Sequence, residues 1–214
     1  MTFDSLIFDM DGTLWNTVPE IIASWKSTIA RLGLPMPEGM DELQKLFGLN
    51  EKDVAAILFP DLPEEERMAI IDQCSRDEQE YIFTHGTTIY PRLAEVLEKL
   101  SKRYRLFIVS NCSHGYIETF FEIFDTGKYF EDFEHYGRTG LKKGQNIRLL
   151  CRRNGLQAPA YVGDTVWDAD ACEEAGVPFI YASYGLGEED ASARACIVVK
   201  EFANLLTLLP EEER

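Results

Sequence analysis

The stretch SLIFDMDGTL, residues 5–14, carries the clearest structural and chemical signal in this sequence. It begins as a short buried-strand pattern and continues into Asp9 and Asp11, which are separated by one residue and followed by a glycine turn. Residues i and i+2 of an extended chain share a face, so both carboxylates are predicted to project together. At about 4 Å and an effective dielectric near 20, they would repel by about 4 kcal/mol, a cost that a divalent cation removes. The stretch therefore predicts metal-assisted chemistry, with a solvated Asp-Gly turn as the alternative.

Two later apolar runs also end in polar side chains. One ends in Ser110 and Asn111, and the other ends in Asp164, with Asp168 one helical turn further on. In open parallel α/β sheets, ligands bind outside the carboxyl ends of the strands. We therefore expect these side chains to converge with the first two carboxylates on one site.

Two lysines stand between the second and third of these runs. Lys142 and Lys143 precede a helix-like segment over residues 145–154. An ammonium group at this position would hold a phosphate oxygen. The pattern alone leaves open which of the two lysines does so.

A block without strand patterns separates the first strand from the strand-and-helix alternation that begins near Tyr90. Helical patterns cover residues 19–32, 41–47, 50–59 and 63–84. We predict an α/β protein in which residues 1–15 and 86–214 form a Rossmann-like core with a doubly wound parallel sheet. Residues 16–85 are predicted to form an inserted all-helical cap domain. A small helical domain without a gating role is the alternative.

Composition excludes several classes of partner. The 214 residues, 45% of them hydrophobic, carry a net charge of −16, which repels nucleic acid and acidic membrane surfaces. The five cysteines are odd in number and show no paired metal spacing, which is typical of reduced cytoplasmic thiols. No run approaches the ~18 apolar residues of a membrane span, and no leader pattern is present. We expect a cytoplasmic protein that is neither exported nor membrane-spanning, and a monomer, because no long apolar repeat demands a partner.

These motifs, in this order and across nearly the whole chain, resemble those of the haloacid dehalogenase superfamily of phosphotransferases. The segment DMDGT, residues 9–13, resembles the first motif, Ser110 the second, and GDTVWD, residues 163–168, the acidic fourth. The third motif is usually a single lysine, often followed by proline, whereas this chain has Lys142-Lys143-Gly144. We prefer Lys143 because it immediately precedes the start of the helix, with Lys142 as the alternative.

The resemblance implies a set of roles. Asp9 would be the nucleophile that attacks phosphorus, and Asp11 would be the general acid and base. Mg²⁺ would be held by the Asp9 carboxylate, the backbone carbonyl of Asp11 and the Asp164 carboxylate, with Asp168 as an outer-shell or secondary ligand. The residues that would bind the transferring phosphate oxygens are Ser110, Asn111 and Lys143.

The helical block resembles the helical (C1-type) cap of the phosphoglycolate phosphatase and β-phosphoglucomutase branch of this superfamily. This implies a Mg²⁺-dependent phosphatase that hydrolyses a small phosphorylated metabolite through an aspartyl-phosphate intermediate. A phosphomutase shares every core motif and is the alternative. A non-catalytic binding or regulatory protein on the same fold is a second alternative. Carbon–halogen cleavage is disfavoured, because a halide leaving group needs no second acid such as Asp11.

Overall fold

Parallel strands form the centre of the molecule, and helices surround them. The computed structural model describes residues 2–187 and 190–209. The strands are β1 (Ser5–Phe8), β2 (Trp15–Asn16), β3 (Thr88–Ile89), β4 (Arg105–Ser110), β5 (Asp132–His135), β6 (Pro159–Gly163), β7 (Phe179–Ala182) and β8 (Ile197–Val199). The α-helices are α1 (Val18–Arg31), α2 (Glu51–Leu58), α3 (Glu64–His85), α4 (Leu93–Ser101), α5 (Tyr116–Phe124), α6 (Tyr136–Thr139), α7 (Lys143–Asn154), α8 (Val166–Ala175) and α9 (Leu205–Leu208). Short 3₁₀ helices cover Met40–Leu46, Gly127–Tyr129, Ser192–Arg194 and Phe202–Asn204.

The main sheet has six parallel strands in the order β5-β4-β1-β6-β7-β8. Phe8, at the end of β1, lies beside Ile108 of β4 on one side and Val162 of β6 on the other. The three central strands therefore end at the same edge of the sheet. This register brings the polar residues that follow each strand to one place, as the sequence predicts.

The two faces of the sheet are covered by different helices. Leu6 and Phe8 belong to an apolar cluster that includes residues of α4 and α5, such as Leu97 and Phe120. Ile7, which points to the opposite face, belongs to a second cluster with α7 and α8. Helices on both faces of a parallel sheet confirm the predicted doubly wound α/β core.

The predicted helical insertion is confirmed as an element of the fold. The chain leaves the core through β2 and returns through β3, and these two strands pair antiparallel. Between them, α1 packs along α3, and α2 packs against α3 as well. The predicted helix over residues 41–47 is instead a 3₁₀ helix, interrupted at Glu42 (φ −111°) and flanked by Gly39 and Gly48 with positive φ. The non-helical backbone at Glu42 interrupts the regular α-helical hydrogen bonding, and the positive φ of the two glycines bounds the segment.

The exact division of the chain into domains stays a prediction. The predicted cap range contains α1, α2 and α3, and the predicted core range contains every strand of the main sheet. Residues 1, 188–189 and 210–214 of the predicted core lie outside the described residues. Within residues 2–187 and 190–209, every helix is too short or too polar to span a bilayer.

Candidate active site

The sheet edge gathers the residues predicted from the three strand ends. Asp9 follows β1, Ser110 ends β4 and Asp164 follows β6, and all three are at least 95% buried. The first turn of α7 adds Lys143, which is also buried. Burying so many charged groups together requires that they compensate one another or hold a ligand.

Lys143 lies between two carboxylates. Its Nζ is 2.6 Å from Asp168 Oδ1, to which it donates a hydrogen bond, and 3.1 Å from Asp9 Oδ1. Burial acts to lower the pKa of Lys143, but Asp168 and Asp9 outweigh it and hold the pKa above its usual range. Lys142, by contrast, is the exposed N-cap residue of α7, where its backbone N–H donates to Gln145. The structure therefore places Lys143, and not Lys142, among the site carboxylates.

Asp168 organises the turn that carries Asp164. Its Oδ1 accepts from Lys143 and from the Tyr161 hydroxyl at 3.3 Å. Its Oδ2 accepts from the backbone N–H groups of Asp164 (3.1 Å) and Thr165 (3.0 Å) and from the Thr165 hydroxyl. The Thr165 hydroxyl in turn accepts from the Asp168 N–H, which completes a capping box at the start of α8. Both oxygens of Asp168 are thus occupied by protein donors, which fits an outer position in a metal site.

Asp164 is held by the backbone of the loop after β7. Its Oδ2 accepts from the N–H groups of Leu186 (2.7 Å) and Gly187 (3.2 Å), and its Oδ1 faces the Thr13 hydroxyl at 3.4 Å. Gly12 (φ +81°) lies so close to this carboxylate that a Cβ would overlap it. The glycine after Asp11 is therefore required both by its backbone conformation and by the approach of Asp164.

The acidic cluster fits a hard divalent cation. Asp9, Asp164 and Asp168 each offer a carboxylate oxygen within 4.8 Å of the others. Asp9 Oδ1 is buried and receives no hydrogen bond from any residue that the structure describes. Burial raises the pKa of Asp9 to about 7 and the pKa of Asp164 well above its usual range. A bound cation with a preference for oxygen, such as Mg²⁺, would offset this cost of ionisation.

The Asp11 carboxylate is not part of that cluster. It accepts hydrogen bonds from the hydroxyls of Thr17, which lies just before α1, and of Tyr116 (2.8 Å), the first residue of α5. Burial raises the pKa of Asp11 to about 6, although these two hydrogen bonds act to lower it. Side-chain ligation of a metal by Asp11 is therefore not part of this arrangement, whereas proton exchange near neutral pH fits it well.

A cavity of about 100 Å³ lies between the sheet edge and the helical insertion. On the sheet side it is lined by Asp9, Asp11, Ser110, Asn111 and Lys143, among others. The Asn111 side-chain amide donates to the carbonyl oxygen of Gly48, in the loop after the first 3₁₀ helix, at 2.7 Å. The insertion thus covers the predicted site residues and makes a direct contact with one of them.

Several residues around the cavity could not be identified as site residues from the sequence. Thr17 and Tyr116 belong to amphipathic helix starts, and nothing in their spacing marks them as partners of Asp11. Trp25 and Glu78, on α1 and α3, also line the cavity. The helical patterns of α1 and α3 indicate that one face of each helix is buried, but not which residues or ligand that face contacts.

Comparison with known proteins agrees with the geometry. The sequence profile of the haloacid dehalogenase-like hydrolase family matches residues 6–182. A phosphoglycolate phosphatase of Salmonella typhimurium is 25% identical over 94% of this chain and 90% of its own length. A predicted phosphoglycolate phosphatase from Haemophilus somnus has a similar fold (TM-score 0.82, 22% identity, 97% of this chain and 98% of that one). CbbY from Rhodobacter sphaeroides, solved in complex with phosphate, is also similar in fold (TM-score 0.80, 18% identity, 95% and 96% covered).

Proposed function

Because this chain belongs to the haloacid dehalogenase-like hydrolase family, as a phosphatase of its phosphoglycolate phosphatase-like branch, we propose that it hydrolyses the phosphate monoester of a small metabolite through an aspartyl-phosphate. The observation that carries the proposal is the placement of Asp9. This buried carboxylate lines a small cavity, and its Oδ1 lies 3.1 Å from the ammonium group of Lys143.

In this proposal, Asp9 attacks phosphorus in line and the P–O bond to the alcohol breaks. Lys143, Ser110 and Asn111 line the cavity beside Asp9 and bind the transferring oxygens, where negative charge must be stabilised. Asp9 and Asp164, with Asp168 as a secondary group, would hold Mg²⁺, which would supply further neutralisation of that charge when bound.

Asp11 is the proposed proton carrier. It gives a proton to the departing alkoxide and then takes one from the water that hydrolyses the aspartyl-phosphate. Its pKa of about 6 is matched to both tasks, because a group that titrates near the working pH is populated in each form. Thr17 and Tyr116 orient its carboxylate through their hydroxyls.

We also propose a cytoplasmic monomer. The five cysteines are free thiols in the structure, which is the usual state in a reducing compartment. The partner of the protein is then its small phosphorylated substrate.

The proposed function is tested by phosphate release from p-nitrophenyl phosphate, with millimolar Mg²⁺ or with a chelator. We expect Mg²⁺-dependent turnover in the wild type and none in Asp9→Asn. Asp11→Asn should still release a burst of p-nitrophenol, because this leaving group needs no proton, and then stall at the phosphoenzyme.

Asp61→Asn is the matched control, since Asp61 is exposed and distant in sequence from the motifs. It should retain wild-type turnover. Turnover by folded Asp9→Asn would contradict the covalent mechanism. Absence of release by the folded wild type from any phosphate monoester would contradict the phosphatase proposal, and turnover only with a bisphosphate activator would favour the phosphomutase.

A further inference from the structure

The half of the cavity formed by the helical insertion carries two carboxyl groups. These are Glu51, at the start of α2, and Glu78, in α3. Lys143, on the sheet side, is the only cationic side chain among the described residues that line the cavity. Its ammonium is already shared between Asp9 and Asp168. The part of a substrate that points away from phosphorus therefore meets negative and apolar groups, without a cation.

Each of these carboxyl groups is fixed through one oxygen. Trp25 donates its indole N–H to Glu78 Oε2, and the Ser75 hydroxyl donates to Glu51 Oε1 at 2.8 Å. In the described part of the chain, neither glutamate forms an ion pair, and neither of the remaining oxygens, Glu78 Oε1 and Glu51 Oε2, accepts a hydrogen bond. Two oriented acceptors are thus left for a ligand.

The burial of these groups makes the absence of a cationic partner among the described residues costly. Glu78 is only 6% exposed, and burial raises its pKa well above the usual range; burial also raises the pKa of Glu51. An ammonium group on the substrate would act against this rise in pKa and form charge-assisted hydrogen bonds with the ionised carboxylates. A second anion on the substrate would raise these pKa values further and gain no such bonds.

Other atoms of the same cavity also await a ligand. Asn111 Oδ1 is a buried acceptor without a hydrogen-bond donor among the described residues, and Asp9 Oδ1 has the Lys143 ammonium 3.1 Å away. Both residues line the same cavity as Glu51 and Glu78. A molecule with a phosphoryl group and a separate hydrogen-bond donor could therefore contact both sets of residues.

We propose that the substrate is the phosphate monoester of a small amino alcohol, with its ammonium group bound between Glu51 and Glu78. This proposal rests on the proposed phosphatase function and specifies its substrate. Hydrolysis breaks the P–O bond and yields the amino alcohol and inorganic phosphate.

Three substrates of nearly equal size test the proposal. O-phosphoethanolamine carries an ammonium group, 2-hydroxyethyl phosphate a hydroxyl, and 2-phosphoglycolate a carboxylate at the same distance from phosphorus. We expect kcat/KM to fall in that order, by about tenfold or more from the first to the second, as the loss of a charge-assisted hydrogen bond implies. 2-Phosphoglycolate, after which the phosphoglycolate phosphatase relatives are named, should thus have the lowest kcat/KM of the three.

The variant Glu78→Gln keeps the shape of the side chain and removes its charge. We expect kcat/KM for O-phosphoethanolamine to fall about tenfold, while the value for 2-hydroxyethyl phosphate stays within about twofold. Glu51→Gln should act in the same direction and provides a second test if Glu78→Gln folds poorly. Glu80→Gln makes the same change of charge at an exposed position of α3 and should leave the ratio of the two substrates unchanged.

The outcomes separate the two proposals. If p-nitrophenyl phosphate is hydrolysed but 2-phosphoglycolate is preferred to O-phosphoethanolamine, the amino alcohol proposal is wrong and the phosphatase function stands. Equal loss for all three substrates in Glu78→Gln would also overturn it, because it would show a structural role alone. No release from any substrate, p-nitrophenyl phosphate included, would overturn both.

Discussion

Lys143 pairs with the site carboxylates and, in the proposed function, binds the transferring phosphate. It is 4% exposed, and its ammonium lies within 3.1 Å of Asp9 and Asp168. Removing one partner from a buried group of charges leaves the others uncompensated, which typically costs about 3 to 5 kcal/mol. For Lys143, this loss of folding free energy is reduced because Asp9 and Asp168 can take up protons once the ammonium is removed.

We predict that Lys143→Met lowers the free energy of unfolding by about 3 kcal/mol and lowers kcat by about 100-fold or more, because it removes both the buried charge and the phosphate ligand. Urea unfolding and phosphate release measure the two effects. Lys142→Met is the matched control, because Lys142 is exposed beside the same helix start. If the two variants lose activity equally, Lys143 is not the phosphate-binding lysine.

His135 is a buried titratable group outside the proposed mechanism. It is fully buried at the end of β5, stacks on Phe133 at 6.2 Å and meets His114 edge-on at 5.7 Å. Neither ring nitrogen has a hydrogen-bond partner among the described residues. Burial lowers the pKa of His135 in the folded protein. The folded state thus holds this ring neutral at a pH where the unfolded chain would protonate it.

His135 should therefore destabilise the fold in acid. Below the unfolded pKa of about 6.5, the unfolded state binds a proton that the folded state does not, so stability falls as pH decreases. We predict that the free energy of unfolding of the wild type, relative to His135→Leu, falls by about 1 kcal/mol between pH 7.5 and 5.5. Urea unfolding at several pH values measures this difference. A difference that is independent of pH would contradict the assignment.

At the scale of elements, the loop after the first 3₁₀ helix connects the helical insertion with the start of α8. Gly48 has φ +94°, and a Cβ there would lie 3.0 Å from Trp167 Cδ1 and 3.1 Å from Thr165 Oγ1. Its carbonyl oxygen accepts from Asn111. Gly39, at the other end of the 3₁₀ helix, has φ +82° but no atom near its hypothetical Cβ.

A comparison of alanine variants at Gly48 and Gly39 separates the effect of backbone strain from the effect of opening the cavity. Both Gly48→Ala and Gly39→Ala should lower the free energy of unfolding by about 1 kcal/mol, because alanine disfavours positive φ. Only Gly48→Ala should also lower kcat/KM, by about tenfold, since its methyl group pushes the loop away from Trp167 and Asn111. Phosphate release and thermal unfolding of both variants measure the effects. Equal activity of the two variants would show that the contact at Gly48 is not needed for turnover.

Across the whole molecule, the sequence predicts which residues lie at the sheet edge better than it predicts which residues line the cavity above it. Asp9, Ser110 and Asp164 can be found because each follows an apolar strand pattern, and parallel strands bring their ends together. To choose between Lys142 and Lys143, one must know at which residue α7 begins. The boundaries of a helix are the least certain part of a prediction from sequence.

The cap half of the cavity could not be predicted in the same way. Helix α3 is a 22-residue helix with many charged residues, and Glu78 is one acid among several in its sequence. That this acid is buried follows from how α1 lies along α3, which sequence periodicity does not specify. In the proposals made above, the residues that recognise the substrate are thus set by packing between helices, and the catalytic residues by the ends of strands.

The pairing of β2 with β3 has a consequence for how such a protein diversifies. Trp15 faces Ile89 and Asn16 faces Thr88, so the chain leaves and re-enters the core at neighbouring points of one short ladder. A segment whose two ends are already adjacent can be exchanged for another without altering the connections of the main sheet. Replacement of the insertion could therefore change which substrates the protein accepts, while the residues at the edge of the main sheet stay the same.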